Sequence, residues 1–112
     1  NGNQKSEYIY VGDVAESFYR ALVSEKDLGG KVIHVGRDKN NSVNEIIDAV
    51  EEAWGRKVDR NYVDMRPGEH HVEITLDPTL LKELLDYELQ WDLPEGLKET
   101  IEYYEKAYSE LY

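Results

Sequence analysis

The chain contains no cysteine, which excludes a disulfide framework, thiolate zinc sites and thiol catalysis, and which suits a reducing compartment. Three prolines are too few for a polyproline or low-complexity segment. Positive charge is also scarce. Against 24 Asp and Glu stand 13 Lys and Arg, a formal balance of −11 at pH 7 that opposes wrapping nucleic acid or lying on anionic lipid. No apolar run approaches the roughly 18–20 residues of a membrane span. No succession of basic, apolar and small residues marks a signal peptide. The expectation is a soluble, cytoplasmic protein without nucleic-acid or membrane partners. Its 112 residues suit one domain that buries about two-thirds of its unfolded surface. Because the first residue is Asn1 and not Met, a piece of a longer polypeptide is expected.

What is present reads as strands interleaved with helices. Glu7 to Val11 is β-branched and aromatic, and Asp13 with Glu16 has the spacing of a capping box. Val14, Phe18, Ala21 and Leu22 then draw an apolar stripe along a helix to about Glu25. After Gly29-Gly30, Lys31 to Val35 lacks clean alternation, as expected of a strand covered on both faces. Ser42 and Glu45 make a second capping box, and Val43, Ile46, Ile47, Val50 and Trp54 carry a helix to a stop at Gly55. Lys57 to Met65 and His71 to Leu76 are candidate strands. Asp77-Pro78 opens a short helix with Leu80, Leu81, Leu84 and Leu85 on one face. Asp92-Leu93-Pro94 opens a last one, striped by Leu97, Ile101, Tyr104, Tyr108 and Leu111. Three to four short strands and about four helices make the fold class α/β, or α+β in isolation.

The sharpest local feature is Arg66-Pro67-Gly68-Glu69, a cation and an anion separated by the residue that most constrains a backbone and the one that most frees it. Such a loop can aim a guanidinium fork at phosphate oxygens and a carboxylate at a vicinal diol, which together suit a nucleotide's diphosphate and ribose. Arg56, Lys57, Arg60 and Arg66 also form a basic stretch in an otherwise acidic chain. The plainer reading is a surface turn with a solvated ion pair worth about 0–1 kcal/mol. Glu69, His70, His71 and Glu73 are of metal-ligand type, but a solvated role is expected and no metal site is assigned. His34 lies in the most apolar strand, where a buried, hydrogen-bonded imidazole is expected. Tyr103, Tyr104, Tyr108 and Tyr112 resemble an aromatic platform, although core packing or a subunit contact is the commoner use of such spacing.

Two absences bear on catalysis. There is no glycine-rich G-x-G-x-x-G or P-loop signature to cradle a dinucleotide, and no Tyr is followed four residues later by Lys. Four segments nonetheless resemble, in order, the C-terminal portion of extended short-chain dehydrogenase/reductases, the NAD-dependent nucleotide-sugar epimerases and dehydratases. Gly2 to Val14 resembles the G-x-Q-x-R-D-F-I-Y-V-x-D-V stretch, and Val32 to Gly36 with Ser42 to Ile46 resembles N-V-G followed by S-x-x-E-[LI]. Arg66 to Glu69 resembles R-P-G-[ED], with Asp77 at the A-D helix start that follows it. Leu84 to Tyr87 and Leu93 to Ile101 resemble L-L-G-[WY] and L-E-E-G-L-x-x-T-I.

The resemblance spans nearly the whole chain and implies that Arg66 contacts the diphosphate of a nucleotide sugar and Glu69 its ribose hydroxyls. It implies no catalytic residue here, since NAD and the Tyr/Lys pair belong to a Rossmann half absent from residues 1–112, in the same or another chain. No cofactor is expected on this chain. Helix Asp13 to Glu25 and strand Lys31 to Val35 are expected to pack against that half, and self-association is the expected substitute in its absence. Three departures stand out. Ser6 replaces a second phosphate-binding arginine, a loss of about 1.5–3 kcal/mol. Asp86 replaces the glycine of a left-handed helix cap, and Gly12 replaces an acidic residue. The alternatives are a non-catalytic acidic interaction module that kept the scaffold and lost the chemistry, and an unrelated ligand-free α/β domain.

Overall fold

The computed structural model describes residues 1–110; Leu111 and Tyr112, the end of the terminal aromatic and apolar series, lie outside the described residues. Four helices are present: α1 (Val11–Val23), α2 (Val43–Trp54), α3 (Thr79–Leu85) and α4 (Leu93–Ser109). Two strands of two residues each, β1 (Lys5–Ser6) and β2 (Asn41–Ser42), pair antiparallel with Lys5 opposite Ser42 and Ser6 opposite Asn41. Lys5 also forms a parallel bridge to Glu73, its N–H donating to Val72 O at 3.3 Å and its carbonyl accepting from Ile74 N at 3.2 Å. The sheet is therefore a small knot tying the N-terminus to two distant segments.

Helix α2 forms as its sequence dictates. Ser42 Oγ accepts from Glu45 N at 3.1 Å while Glu45 Oε2 accepts from Ser42 N at 2.7 Å, closing the capping box. At the other end Gly55 adopts φ 74° and donates to Glu51 O at 2.9 Å, a left-handed stop that glycine makes without strain. Helix α4 packs across α2, with Trp54 Nε1 donating to Glu105 Oε1 at 2.7 Å. Gly96 sits at a close approach: a Cβ there would lie 3.1 Å from Tyr10 Cβ, a tight contact that glycine relieves where the chain before α1 crosses α4. Helix α1 packs on α3, and Leu81, Leu85 and Tyr87 form a small buried core backed by Ala21, Leu28, Ile33, Val35 and Leu89.

The helix count agrees with the sequence, but the expected strands are mostly unladdered. Residues 7–10, 31–35 and 57–65 carry no strand pairing, and 71–76 contributes only the bridge at Glu73. A strand needs a neighbour to receive its N–H and C=O groups, and alternation alone cannot supply one. In 31–35 the pleat is right and the surroundings are half right. Ile33 and Val35 face the core, whereas Val32 is 72% exposed and His34 is exposed, not buried as expected.

Helix α1 starts at Val11, two residues before Asp13, and its N-cap is Tyr10 without a side-chain cap bond. Asp13 is consequently not a cap, because its carboxylate is fully buried against the loop after α3. The apolar stripe of α1 is divided. Ala21 meets the core, but Phe18 and Leu22 are 73% and 83% exposed and lie in line with exposed Val11. A radius of gyration of 16.9 Å exceeds the roughly 13 Å of a compact chain of this length. Large apolar side chains of α1 are thus left open to water. No helix among the described residues is long and apolar enough to cross a membrane.

Candidate functional site

Residues 66–69 form a tight turn. Pro67 fixes its own φ, Gly68 takes φ 88°, and Glu69 N donates to Arg66 O at 2.9 Å. The turn folds the two charged side chains onto each other. Arg66 Nε donates to Glu69 Oε1 at 2.8 Å, a terminal guanidinium nitrogen reaches the same oxygen, and Arg66 N donates to Glu69 Oε2 at 2.8 Å. The Arg66 guanidinium beside it holds the Glu69 carboxyl below the usual carboxylate range, with the Arg66 backbone N–H adding to the effect. The Arg66 side chain is 85% exposed and that of Glu69 40%. The structure therefore brings together the two residues singled out in the sequence, on an open surface and engaged with each other.

The rest of the basic stretch is used internally. Lys57 Nζ lies 2.8 Å from Glu51 Oε2, and one Arg60 nitrogen lies 2.6 Å from Asp48 Oδ1 and 3.3 Å from Glu51 Oε2. Those contacts clamp the chain after α2 back onto that helix. They push the Glu51 carboxyl down to about 2, chiefly through Lys57 and then the Val58 N–H. Arg56 lies over the Trp54 ring at 4.9 Å. Of the four cations only Arg66 is held by its own loop and not by α2 or the chain leading from it.

The remaining candidates separate in space or in role. His70, His71 and Glu73 are exposed, and among the described residues no three metal-ligand side chains converge. Tyr103, Tyr104 and Tyr108 are 67%, 50% and 50% exposed and so do not belong to the core. Tyr104 stacks on Tyr108 at 5.8 Å and meets the edge of Tyr103 at 5.3 Å. Tyr103 and Tyr104 border a cavity of about 560 Å³ shared with Tyr8, Tyr10, Ile46 and Leu97.

Sequence reasoning missed a polar hub. Asp13 accepts from the Tyr87 hydroxyl at 2.5 Å, Gln90 N at 2.9 Å and Trp91 N at 3.2 Å, with Arg37 4.0 Å away. Glu7 plays a similar part, its carboxylate accepting from Leu76 N at 2.7 Å and from Arg37 N. A Cβ on Gly36 would come within 2.7 Å of Leu76 Cβ, besides crowding that carboxylate, which favours glycine there. No spacing rule marks an acid whose donors lie 30 to 78 residues away.

The openings of α2, α3 and α4 lie beside polar groups of the chain itself. At the start of α2, Val43 N and Asn44 N donate to Gln4 O and Gly2 O at 3.1 and 3.0 Å and Glu45 N to Ser42 Oγ at 3.1 Å; Asp92 sits before α4, and Asp77 accepts from Thr79 N at 3.0 Å before α3. Helix α1 opens after Tyr10 without a glycine-rich loop.

No family model matches the chain. Among curated proteins it is 33% identical over 103 residues to the UDP-glucuronate 4-epimerase of Thermodesulfobacterium geofontis, covering 90% of this chain and 30% of the relative. A putative UDP-glucose 4-epimerase of Methanocaldococcus jannaschii is 33% identical over 101 residues, with 90% and 31% covered. Among solved structures, the UDP-glucuronic acid 4-epimerase of Bacillus cereus, in complex with UDP-glucuronic acid and NAD, superposes with a TM-score of 0.86 at 27% identity. That match covers 96% of this chain and 34% of the other. The UDP-glucose 4-epimerase of Thermotoga maritima, with UDP-glucose, gives 0.83 at 30% identity, covering 96% and 33%. The chain spans about a third of the length of the relatives it matches. By sequence and by fold it belongs with the C-terminal portion of the extended short-chain dehydrogenase/reductases, the NAD-dependent nucleotide-sugar epimerases and dehydratases.

Proposed function

We propose that this chain is the substrate-anchoring part of a UDP-sugar 4-epimerase, with Arg66 holding the diphosphate and Glu69 the ribose hydroxyls. The observation that carries the reading is the turn at 66–69, which places a planar cation and a carboxylate side by side on an open surface. A guanidinium offers a diphosphate two parallel charge-assisted donors, and a carboxylate accepts from a diol. NAD supplies hydride chemistry in such enzymes, and on this reading another portion, in the same or another polypeptide, holds it together with the proton-transferring side chains. What this chain contributes is fixed contact to the nucleotide, remote from the reacting carbon, whose binding energy positions the sugar.

The open face of α1 supports the same assignment. Val11, Phe18 and Leu22 leave apolar surface of α1 in water, as does Val32 in the segment 31–35, which has no ladder partner. A Rossmann half is the natural cover for both. Titration of the chain with UDP-glucose, UDP-glucuronic acid and dTDP-glucose tests the proposal. Saturable binding that Arg66→Ala abolishes is expected, and no binding of any sugar nucleotide, alone or with the covering portion present, overturns it.

A further inference from the structure

The carboxylate of Glu69 contacts Arg66 in the manner of an incoming anion. One oxygen takes the guanidinium edge and the other takes the Arg66 backbone N–H, so both anion-binding elements of the turn are filled from within the chain. We infer that Glu69 holds the place of a ligand phosphate, that a diphosphate displaces it, and that the freed carboxylate then turns to the ribose hydroxyls. This rests on the reading of Arg66 as the diphosphate ligand and adds an order to it: phosphate recognition releases the group that recognises the sugar.

Three features favour exchange over a permanent pair. Both side chains are open to water, so an exposed pair of this kind resists displacement by no more than about fivefold in affinity. A diphosphate brings more negative charge and more acceptor oxygens to the same fork. Gly68 stands between the partners at φ 88°, and a Cβ added there would meet no heavy atom within 4 Å, so at that point nothing packs over the turn to bar an incoming anion. The exchange also means that Arg66 is not left bare in a chain of strong negative charge.

The experiment compares inorganic pyrophosphate with UDP on the full chain, using wild type, Glu69→Gln, Arg66→Ala and the double variant. All substitutions are on an exposed turn. Glu69→Gln is expected to bind pyrophosphate more tightly than wild type, by up to about fivefold. The gain should vanish in the double variant and should be absent for UDP, where loss of the ribose contact offsets it. Pyrophosphate affinity that is unchanged, weakened or undetectable in Glu69→Gln overturns the inference. So does a gain that survives removal of Arg66, or an equal gain for UDP. Failure of the wild type to bind UDP-glucose counts against the anchoring role alone, because the pyrophosphate comparison reads the Arg66 fork without any nucleotide.

Discussion

The Tyr87 hydroxyl donates to Asp13 Oδ1 at 2.5 Å across 74 residues of sequence, joining α1 to the turn that follows α3. Both side chains are buried, and burial together with the Asp13 carboxylate pushes the Tyr87 hydroxyl up to about 12. The same carboxylate holds Gln90 N and Trp91 N, so it sets the path of the chain into α4. Tyr87→Phe should lower stability by about 1.5–3 kcal/mol, the value of a hydrogen bond to a charged group. Asp13→Ala should cost about 3 kcal/mol or more, since it strands one buried donor, the Tyr87 hydroxyl, and two partly buried ones, Gln90 N and Trp91 N. Urea midpoints of the two single variants and the double variant check this, and additive effects would show that the two groups do not act as a unit.

On α1 the fold leaves Phe18 and Leu22 largely in water, so Phe18→Ser and Leu22→Ser should each change stability by less than about 0.5 kcal/mol. The same changes should weaken docking of the separately produced N-terminal portion of a relative by about 2 kcal/mol, near thirtyfold. Sedimentation of the mixture measures it. Equal docking by wild type and variants would mean that this face is not the one covered.

Much of this arrangement was legible where the determinants are local. Ser42, Glu45 and Gly55 lie within fourteen residues of sequence and specify α2 with both ends, and Arg66 and Glu69 meet because a Pro-Gly turn leaves them little else to do. The misreadings arise where the determinant is remote. Asp13 has the spacing of a cap, but three donors after α3 claim its carboxylate. The segment 31–35 has strand composition without a ladder, and His34 is exposed because only one face of that segment is covered. Local pattern records what a segment is built for, and the missing neighbour decides whether it gets there.

Acid should loosen the clamp after α2. The Glu51 carboxyl is held near 2 against an ordinary value of 4.5, so its folded form binds protons less readily than the unfolded chain. Its contribution is fully present above about pH 4.5 and is lost as pH falls towards 2. Glu51→Gln should flatten that part of the stability profile while leaving the slope elsewhere unchanged. Thermal midpoints of the two proteins at stepped pH provide the comparison, and parallel profiles would rule out this carboxylate as the source.

At the end of α3, Asp86 adopts φ 54° and ψ 38° with its N–H donating to Lys82 O at 3.1 Å. That left-handed cap forms although Asp stands in place of glycine, because Arg20 reaches Asp86 O at 3.1 Å and lies 4.8 Å from the centre of the Tyr87 ring. The conformation costs an L-residue about 1–2 kcal/mol, less for Asp than for most, while glycine surrenders more freedom on folding. The balance predicts that Asp86→Gly stabilises the chain by about 0.5–1 kcal/mol. The change removes no hydrogen bond given by the Asp86 backbone, so Arg20 should keep its place. Denaturant midpoints decide the matter: a variant less stable than wild type would show that the Asp86 side chain itself contributes to the cap.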